Sequence, residues 1–331
     1  MKRISIGTWA FVFNQKQPIE FSEIVAGLKR LGFDGLELGG CGIHPNPTTA
    51  WTAASWHRDP AGAYRAICAA IRDTWESQGL GCSGLAADLW SERLITAPDS
   101  KSYLTSFRKN LDFCTRLGIA TIRVDTTEPP NILGPVPGEK PLKDRPVVPY
   151  ANALKRVAAT WRQCAKEAAD QGIRVAWEFE PGFAFNKPSD ILRVLEAVNH
   201  DHFLTMVDTC HAHNIAVMGA RQPGKKETLP GGIGELAGKL KGKIGRLHLI
   251  DSDGTLNEHG TSTHPPFGEG VLNFDEFMPA LVAAGCPDDW WTIDLCFWPD
   301  AWKATARCKK FVDRLNRKYG GTCPACAGQG G

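Results

Sequence analysis

Strand-like and helix-like segments alternate eight times along these 331 residues, and that rhythm limits the available folds more than any other feature. Short apolar or alternating runs rich in β-branched and aromatic residues lie at Arg3–Phe13, Phe33–Leu38, Leu80–Trp90, Ile119–Thr126, Ile173–Glu180, Phe203–Asp208, Ile244–Asp251 and Trp290–Phe297. Each is followed by a stretch with helical spacing: Glu20–Leu31, Ala61–Gln78, Ser100–Leu117, Tyr150–Gln171, Ser189–Val198, Gly234–Leu240, Phe274–Ala284 and Ala301–Lys318. In the first of these the apolar positions are Phe21, Ile24, Val25, Leu28 and Leu31, and Gly32 supplies a helix stop. Long polar, Pro-rich loops fill about 39–60 and 127–146. Strict alternation on this scale predicts an α/β chain closed into a (β/α)8 TIM barrel, a single domain over residues 1–320.

The competing architecture, an open doubly wound sheet, finds no support. The first strand-to-helix turn has no dinucleotide fingerprint and no GxxxxGK[ST] segment occurs anywhere. The run Gly231-Gly232-Ile233-Gly234 follows a proline rather than a strand, so it does not read as a phosphate cradle. A net charge of +2 without a basic run gives no reason to expect nucleic acid. No apolar run approaches the roughly 18 residues of a membrane span, and MKRISIGTWAF enters a strand pattern directly, which points to a cytosolic protein without an anchor. A homo-oligomer is compatible with this composition. Of the eleven cysteines, Cys68, Cys114, Cys164 and Cys308 sit in apolar segments and read as buried free thiols. The exception is Cys323-Pro-Ala-Cys326, half of a zinc site, in a Gly/Cys-rich tail over 321–331 that is expected to be flexible.

Function in such a barrel gathers where strands end. The stretch from Arg174 to His213 holds two acid-tipped strands, with Glu178 and Glu180 closing one and Asp208 closing the next. Glu178 and Glu180 share a side of an extended strand, and two carboxylates there are costly unless a metal, a cation or water compensates them. Strand seven adds His248 and Asp251, and strand eight adds Asp294. One such residue would be an ordinary loop anchor. Carboxylates and an imidazole on four successive strand ends instead make an O/N donor set for Mn²⁺, the preferred metal, or for Mg²⁺, Co²⁺ or Zn²⁺. Trp9, Trp90, Trp177 and Trp298 also fall at strand ends. Core packing is the plain explanation, and stacking on a sugar ring is the functional one.

The segments VAWEFEP (175–181), VDTCHAH (207–213), LHLIDSDG (247–254), FGEGVLNF (267–274) and WTIDLCFWP (291–299) resemble the xylose isomerase-like barrels, a family of sugar isomerases and epimerases with inosose dehydratase and abasic-site endonuclease relatives. The resemblance reaches to about Gly320. It implies a metal held by Glu180, Asp208, His248 and Asp294, with Glu178 the alternative on strand five. It also implies that Glu180 and Asp294 pass a proton to and from carbon on opposite sides of a sugar or keto-sugar, while His211 contacts a substrate hydroxyl. Glu178, Asp251, Trp9, Trp90 and Trp298 are further candidates for substrate contact. The pattern departs from the ketose epimerases in three respects: Asp294 stands where they carry Glu, strand five has a second Glu, and Asp251-Ser252-Asp253-Gly254 replaces an Arg expected after the strand-seven His.

The expected reaction is metal-dependent isomerisation or epimerisation through an enediolate. The alternative is a lyase or dehydratase that expels a β-oxygen from a keto-sugar, keto-glycoside or inosose, with His259, His264 or Glu269 from the loop 252–270 as an added acid. An abasic-site endonuclease would want more His ligands and a basic surface. A non-catalytic sugar-binding barrel would not require a complete ligand set.

Overall fold

A computed structural model describes residues 1–321 apart from Asn14, Cys41 and Asp144, so the expectations for the tail and for Cys323 and Cys326 lie outside the described residues. Eight parallel strands form the core sheet: β1 (Arg3–Ile6), β2 (Gly35–Gly39), β3 (Gly81–Ala86), β4 (Thr121–Val124), β5 (Arg174–Glu178), β6 (Phe203–Asp208), β7 (Ile244–Leu249) and β8 (Trp290–Ile293). From β2 to β8 each strand pairs with its sequence neighbour, and β1 pairs with β8 in the register Arg3↔Trp290 to Ile6↔Ile293. The remaining seam, β1 to β2, is held by the single bridge Gly7↔Glu37 and by Asp34, whose carboxylate accepts the Ile4 N–H at 2.8 Å. The predicted single-domain (β/α)8 TIM barrel is therefore formed.

Ten α-helices surround it among the described residues: α1 (Phe21–Arg30), α2 (Pro47–Ser55), α3 (Pro60–Glu76), α4 (Lys101–Leu117), α5 (Tyr150–Ala169), α6 (Pro188–Val198), α7 (Thr209–Ala216), α8 (Gly232–Lys239), α9 (Phe274–Ala284) and α10 (Ala301–Tyr319). The core-facing helices follow the predicted spacing; Ile24, Val25 and Leu28 of α1, for example, are fully buried. Cys68, Cys114, Cys164 and Cys308 are buried free thiols. No helix among the described residues is long and apolar enough to cross a membrane.

Three differences from the sequence reading occur where strands hand over to loops. The first strand stops at Ile6, and Thr8–Phe11 turns into a 3-10 helix that brings Trp9 back over the barrel mouth. Gly7 permits this turn, since a Cβ there would stand 2.1 Å from the Trp9 ring. The loop 39–60 contains α2, started by Asn46, whose side chain accepts from Thr48 N at 3.0 Å and Thr49 N at 2.9 Å. Such a cap stabilises by about 1 kcal/mol, enough to set a short Ala- and Thr-rich helix with little amphipathic pattern. The third difference is α7, which starts directly from β6 with Asp208 as its cap.

The barrel interior is polar as well as apolar. Ser5, Ser83 and Thr292 form a hydroxyl chain inside it, and Arg246 of β7 runs across the same layer fully buried.

Candidate metal centre and its cavity

At the C-terminal ends of β5 to β8, strand register puts four side chains at one level. Glu178 is the last residue of β5, Asp208 the last of β6, His248 pairs with Asp208 across the ladder, and Asp294 follows β8. One ligand atom from each of these four lies within 4.8 Å of the others, and all four residues are buried. A second group overlaps the first by sharing Asp208 and Asp294 and adding His211 and His264.

Each ligand is aimed by its second contact. Asp208 caps α7: its Oδ1 accepts the His211 N–H at 2.8 Å, while Oδ2 has no partner. His248 Nε2 is 3.2 Å from Glu37 Oε2 in the middle of β2, and Arg246 binds the same carboxylate oxygen through Nε at 2.9 Å. An Nε2–H donated to Glu37 turns Nδ1 toward the centre, where a metal would take the place of its proton. Asp294 Oδ1 accepts the Trp9 indole N–H at 2.6 Å, and its Oδ2 lies 3.7 Å from His248 Nδ1 and 3.5 Å from His264 Nε2. Glu178 Oε2 is paired to Arg123 Nη1 at 2.6 Å, and its Oε1 stands 3.1 Å from His248 Nδ1 without hydrogen-bond alignment.

Glu178 Oε1, Asp208 Oδ2, His248 Nδ1 and both ring nitrogens of His264 are thus buried without a hydrogen-bond partner. Polar atoms so exposed to desolvation are rare in folded proteins, and here they converge. A divalent cation would satisfy Glu178 Oε1, Asp208 Oδ2 and His248 Nδ1 together. The donors are carboxylate oxygen and imidazole nitrogen, the set that suits Mn²⁺, Mg²⁺, Co²⁺ or Zn²⁺.

The charges are strongly coupled. Burial pushes Asp208 well above the usual carboxylate range, and Asp294 and Glu178 nearby push it further. For Glu178 burial acts upward but Arg123 and His248 outweigh it, leaving it below its ordinary value. Asp294 is likewise held low, because His264 and His248 offset burial. Burial would lower His248, yet Glu37 and Glu178 raise it well above a normal imidazole. Burial and the neighbouring His264 keep His211 neutral, with its pKa lowered to about 3.

Above the centre is a cavity of about 430 Å³. Its wall includes Glu178, Asp294, His211, His264 and Arg123 together with Trp9, Phe13, Trp90, Phe183 and Phe297. Thr127 and Phe297, both on this wall, have left-handed backbones at φ 60° and 56°. A bulky residue in that region costs on the order of 1–3 kcal/mol, strain that collects at functional sites.

Asp208, His248 and Asp294 come together as the sequence suggested, and Glu178 rather than Glu180 lies beside them. The reason is local: β5 ends at Glu178, and the chain turns at Pro181-Gly182, which carries Glu180 up the cavity wall. There its Oε2 accepts from the Thr261 hydroxyl and lies 3.6 Å from His211 Nε2. Burial, helped by Glu178 and Asp125, pushes Glu180 up to about 8 despite that hydrogen bond. His211 is anchored through Nδ1 to Ser262 Oγ at 2.8 Å.

Asp251 is not on the cavity wall. Its carboxylate accepts the N–H groups of Ser252, Gly268, Gly270 and Leu272, which ties down the loop after β7. Trp9 and Trp90 do line the cavity, whereas Trp298 packs against the core and its neighbour Phe297 takes the wall position. Arg123 and Glu37 were not singled out from sequence for the site, although each is a charged residue in a strand that closes on the barrel mouth. His264 was noted only as a loop acid. No strand periodicity marks its place in the loop, and only the fold brings it over Asp208 and Asp294.

A family model described as a xylose isomerase-like TIM barrel matches residues 25–311. No curated protein matches the chain in sequence. Among solved structures, a zinc-bound IOLI protein aligns with a TM-score of 0.67 at 17% identity, covering 97% of this chain and 100% of that one. A D-psicose 3-epimerase from Clostridium cellulolyticum H10, solved with D-tagatose, gives 0.64 at 14% identity, covering 96% and 99%. AsbF from Bacillus anthracis, titled a probable 3-DHS dehydratase, gives 0.63 at 16%, covering 95% and 99%. Likeness at these identities shows a common fold.

Proposed function

For a chain that belongs to the xylose isomerase-like TIM barrel family, we propose divalent-metal-dependent isomerisation or epimerisation of a sugar or keto-sugar, by proton transfer through an enediolate. The observation that carries this reading is the convergence of unpartnered ligand atoms from Glu178, Asp208 and His248, with Asp294 beside them, at the floor of a cavity. Those four residues would hold the metal, Mn²⁺ being our first choice. An ion bound there supplies Lewis acidity to a substrate carbonyl and neighbouring hydroxyl, favouring loss of the C–H proton between them. Among the structural neighbours, one is a D-psicose 3-epimerase solved with D-tagatose and another an IOLI protein with a bound zinc atom, which supports a metal and a sugar as ligands of this fold.

The chain's own groups divide the proton work. Asp294, on the cavity wall and positioned by the Trp9 indole, is the base in this reading. Glu180 keeps its proton to about pH 8 and is fixed by Thr261, so it acts as the acid on the other wall. Neutral His211 orients a hydroxyl between them. Arg123 neutralises Glu178 and keeps that side of the floor from repelling an anionic intermediate.

The same protonated Glu180 favours a second reading. An acid beside a developing enediolate can protonate a β-oxygen as it leaves, giving elimination by a dehydratase or lyase. Incubation of the Mn²⁺-loaded protein with ketoses and keto-sugars in D₂O separates the two. Deuterium at carbon in a recovered sugar is the expected result; an unsaturated ketone indicates elimination, and neither product with any of these substrates refutes the proposal. Glu180→Gln should slow the exchange by about 10²–10⁴-fold, the usual contribution of a positioned acid.

A further inference from the structure

We propose that the substrate is an uncharged sugar derivative bearing an apolar group of aryl size, which occupies the outer part of the cavity, and not a sugar phosphate. This rests on the reading of the floor as a sugar-binding metal centre and names what the mouth selects.

The wall above the floor is aromatic on several sides. Trp90 comes from the loop after β3, Phe13 from the loop after β1, Phe183 from the loop after β5 and Phe297 from the loop after β8. Phe13 and Phe297 stack with ring centroids 5.2 Å apart and planes 24° from parallel. The left-handed backbone of Phe297, φ 56°, is one a glycine would hold without strain, and a phenylalanine stands there on the cavity wall.

The polar capacity of these rings is already committed. The Trp90 indole N–H donates to Asp125 Oδ2 at 2.9 Å, and the Trp9 indole N–H donates to Asp294. What the two indoles offer a ligand is ring surface. Trp90 is 42% exposed, an unusual state for a large ring whose one donor is already bonded. The polar side chains on the upper wall are few among the described residues: Thr127, whose hydroxyl has no hydrogen-bond partner, Glu180, Thr261 and the exposed His259, with the Thr261 hydroxyl donated to Glu180. A hydroxyl-rich outer group would lose water there with few replacements.

A phosphate would fare worse. Arg123 is the one Arg or Lys on the described cavity wall, and it is bound to Glu178 at 2.6 Å and near Asp125 at 3.5 Å. Phosphate sites use free cations or helix N-termini, and a dianion here would share the cavity with the carboxylates of Glu178 and Asp294. An aryl group buried among the rings gains by area and by ring stacking.

Affinity measured without turnover tests this. The Mn²⁺-loaded protein is titrated with phenyl β-D-glucoside, methyl β-D-glucoside, the 3-keto form of each, cellobiose and glucose 6-phosphate. Within the matched pairs the phenyl compound should bind at least about ten-fold tighter than the methyl one, given the area a phenyl ring buries. Glucose 6-phosphate should bind weakest. Phe297→Gly, which also relieves the backbone, and Trp90→Ala should each bring the phenyl-to-methyl ratio toward one. Equal affinity for phenyl and methyl compounds, cellobiose matching the phenyl glucoside, tightest binding of the phosphate, or no binding by any of them overturns the proposal. If the phenyl preference stands while no deuterium enters carbon in the exchange experiment, the proposed chemistry fails and the proposed selectivity survives; the converse result has the opposite meaning.

Discussion

Two clusters of buried charge lie one layer apart inside this barrel. In the lower one Arg246 meets Glu37 and Asp288, the latter at 2.8 Å, and its remaining donors reach Ser83 O and, at 2.8 Å, Thr292 Oγ1. In the upper one Glu178, Asp208, His248 and His264 each keep a buried atom without a partner. The residues of both clusters are buried, so burial does not distinguish them. The lower cluster brings its own cation, and its Glu37 is held down at about 2 because Arg246 and His248 outweigh burial. The upper one has Arg123 for Glu178, and Asp208 is pushed well above its ordinary range by burial and by Asp294. Among the described residues the lower network leaves one buried side-chain atom unpartnered, Glu37 Oε1, whereas the upper centre leaves several, on side chains that converge on a common space.

The strongest way to break the contrast is to remove the lower cation. Arg246→Met leaves Glu37 and Asp288 buried beside each other, and losing one partner of a buried pair costs about 3–5 kcal/mol. Urea unfolding of the metal-free protein should show a loss of that size. A loss below about 1 kcal/mol, the scale of a surface ion pair, would mean the lower network is not what holds this part of the barrel together.

Removing an upper carboxylate should do the reverse. Asp208→Asn keeps the oxygen that caps α7, so the metal-free fold should stay within about 1 kcal/mol of the parent. Mn²⁺ affinity should fall by more than the roughly 10–100-fold typical of residues behind a ligand. Metal content by mass spectrometry and chemical unfolding check both halves. Unchanged metal affinity would remove Asp208 from the centre.

Glu37 belongs to both clusters, through Arg246 below and His248 above. Glu37→Gln should therefore weaken both, with metal affinity lowered by about 10–100-fold because His248 loses the carboxylate that fixes its tautomer. The absorption spectrum of a Co²⁺-substituted protein should also shift, a change that loss of stability alone would not produce.

How much of this was legible follows from where periodicity operates. Strands alternate with period two, so an inward acid at a strand end announces itself, and Asp208, His248 and Asp294 could be picked out in that way. Arg246, two residues before His248, shares its side of β7 by the same rule, but nothing in sequence says which carboxylate across the barrel will meet it. His264 sits in a loop whose path is set by Asp251 gripping backbone from Gly268 to Leu272, a tertiary event with no local signature. The same limit explains α2 and α7, where a cap rather than an apolar stripe starts the helix.

The doubled glutamate of β5 shows that limit most sharply, and it yields the smallest expected change. Period two puts Glu178 and Glu180 on one side only while the strand lasts, and β5 ends at Glu178. Beyond it Glu180 is held by Thr261, outside both groups of converging ligand atoms. Glu180→Gln retains the acceptor for Thr261 and removes a carboxyl that keeps its proton to about pH 8. Mn²⁺ affinity at neutral pH should then stay within about three-fold, or roughly 0.6 kcal/mol, of the parent. Glu178→Gln should lose far more, since it deletes a charge facing both His248 and Arg123. Comparing the two variants by calorimetric titration assigns the ligand directly: if Glu180→Gln loses the metal and Glu178→Gln keeps it, the centre is built one turn of chain higher than the strand end implies.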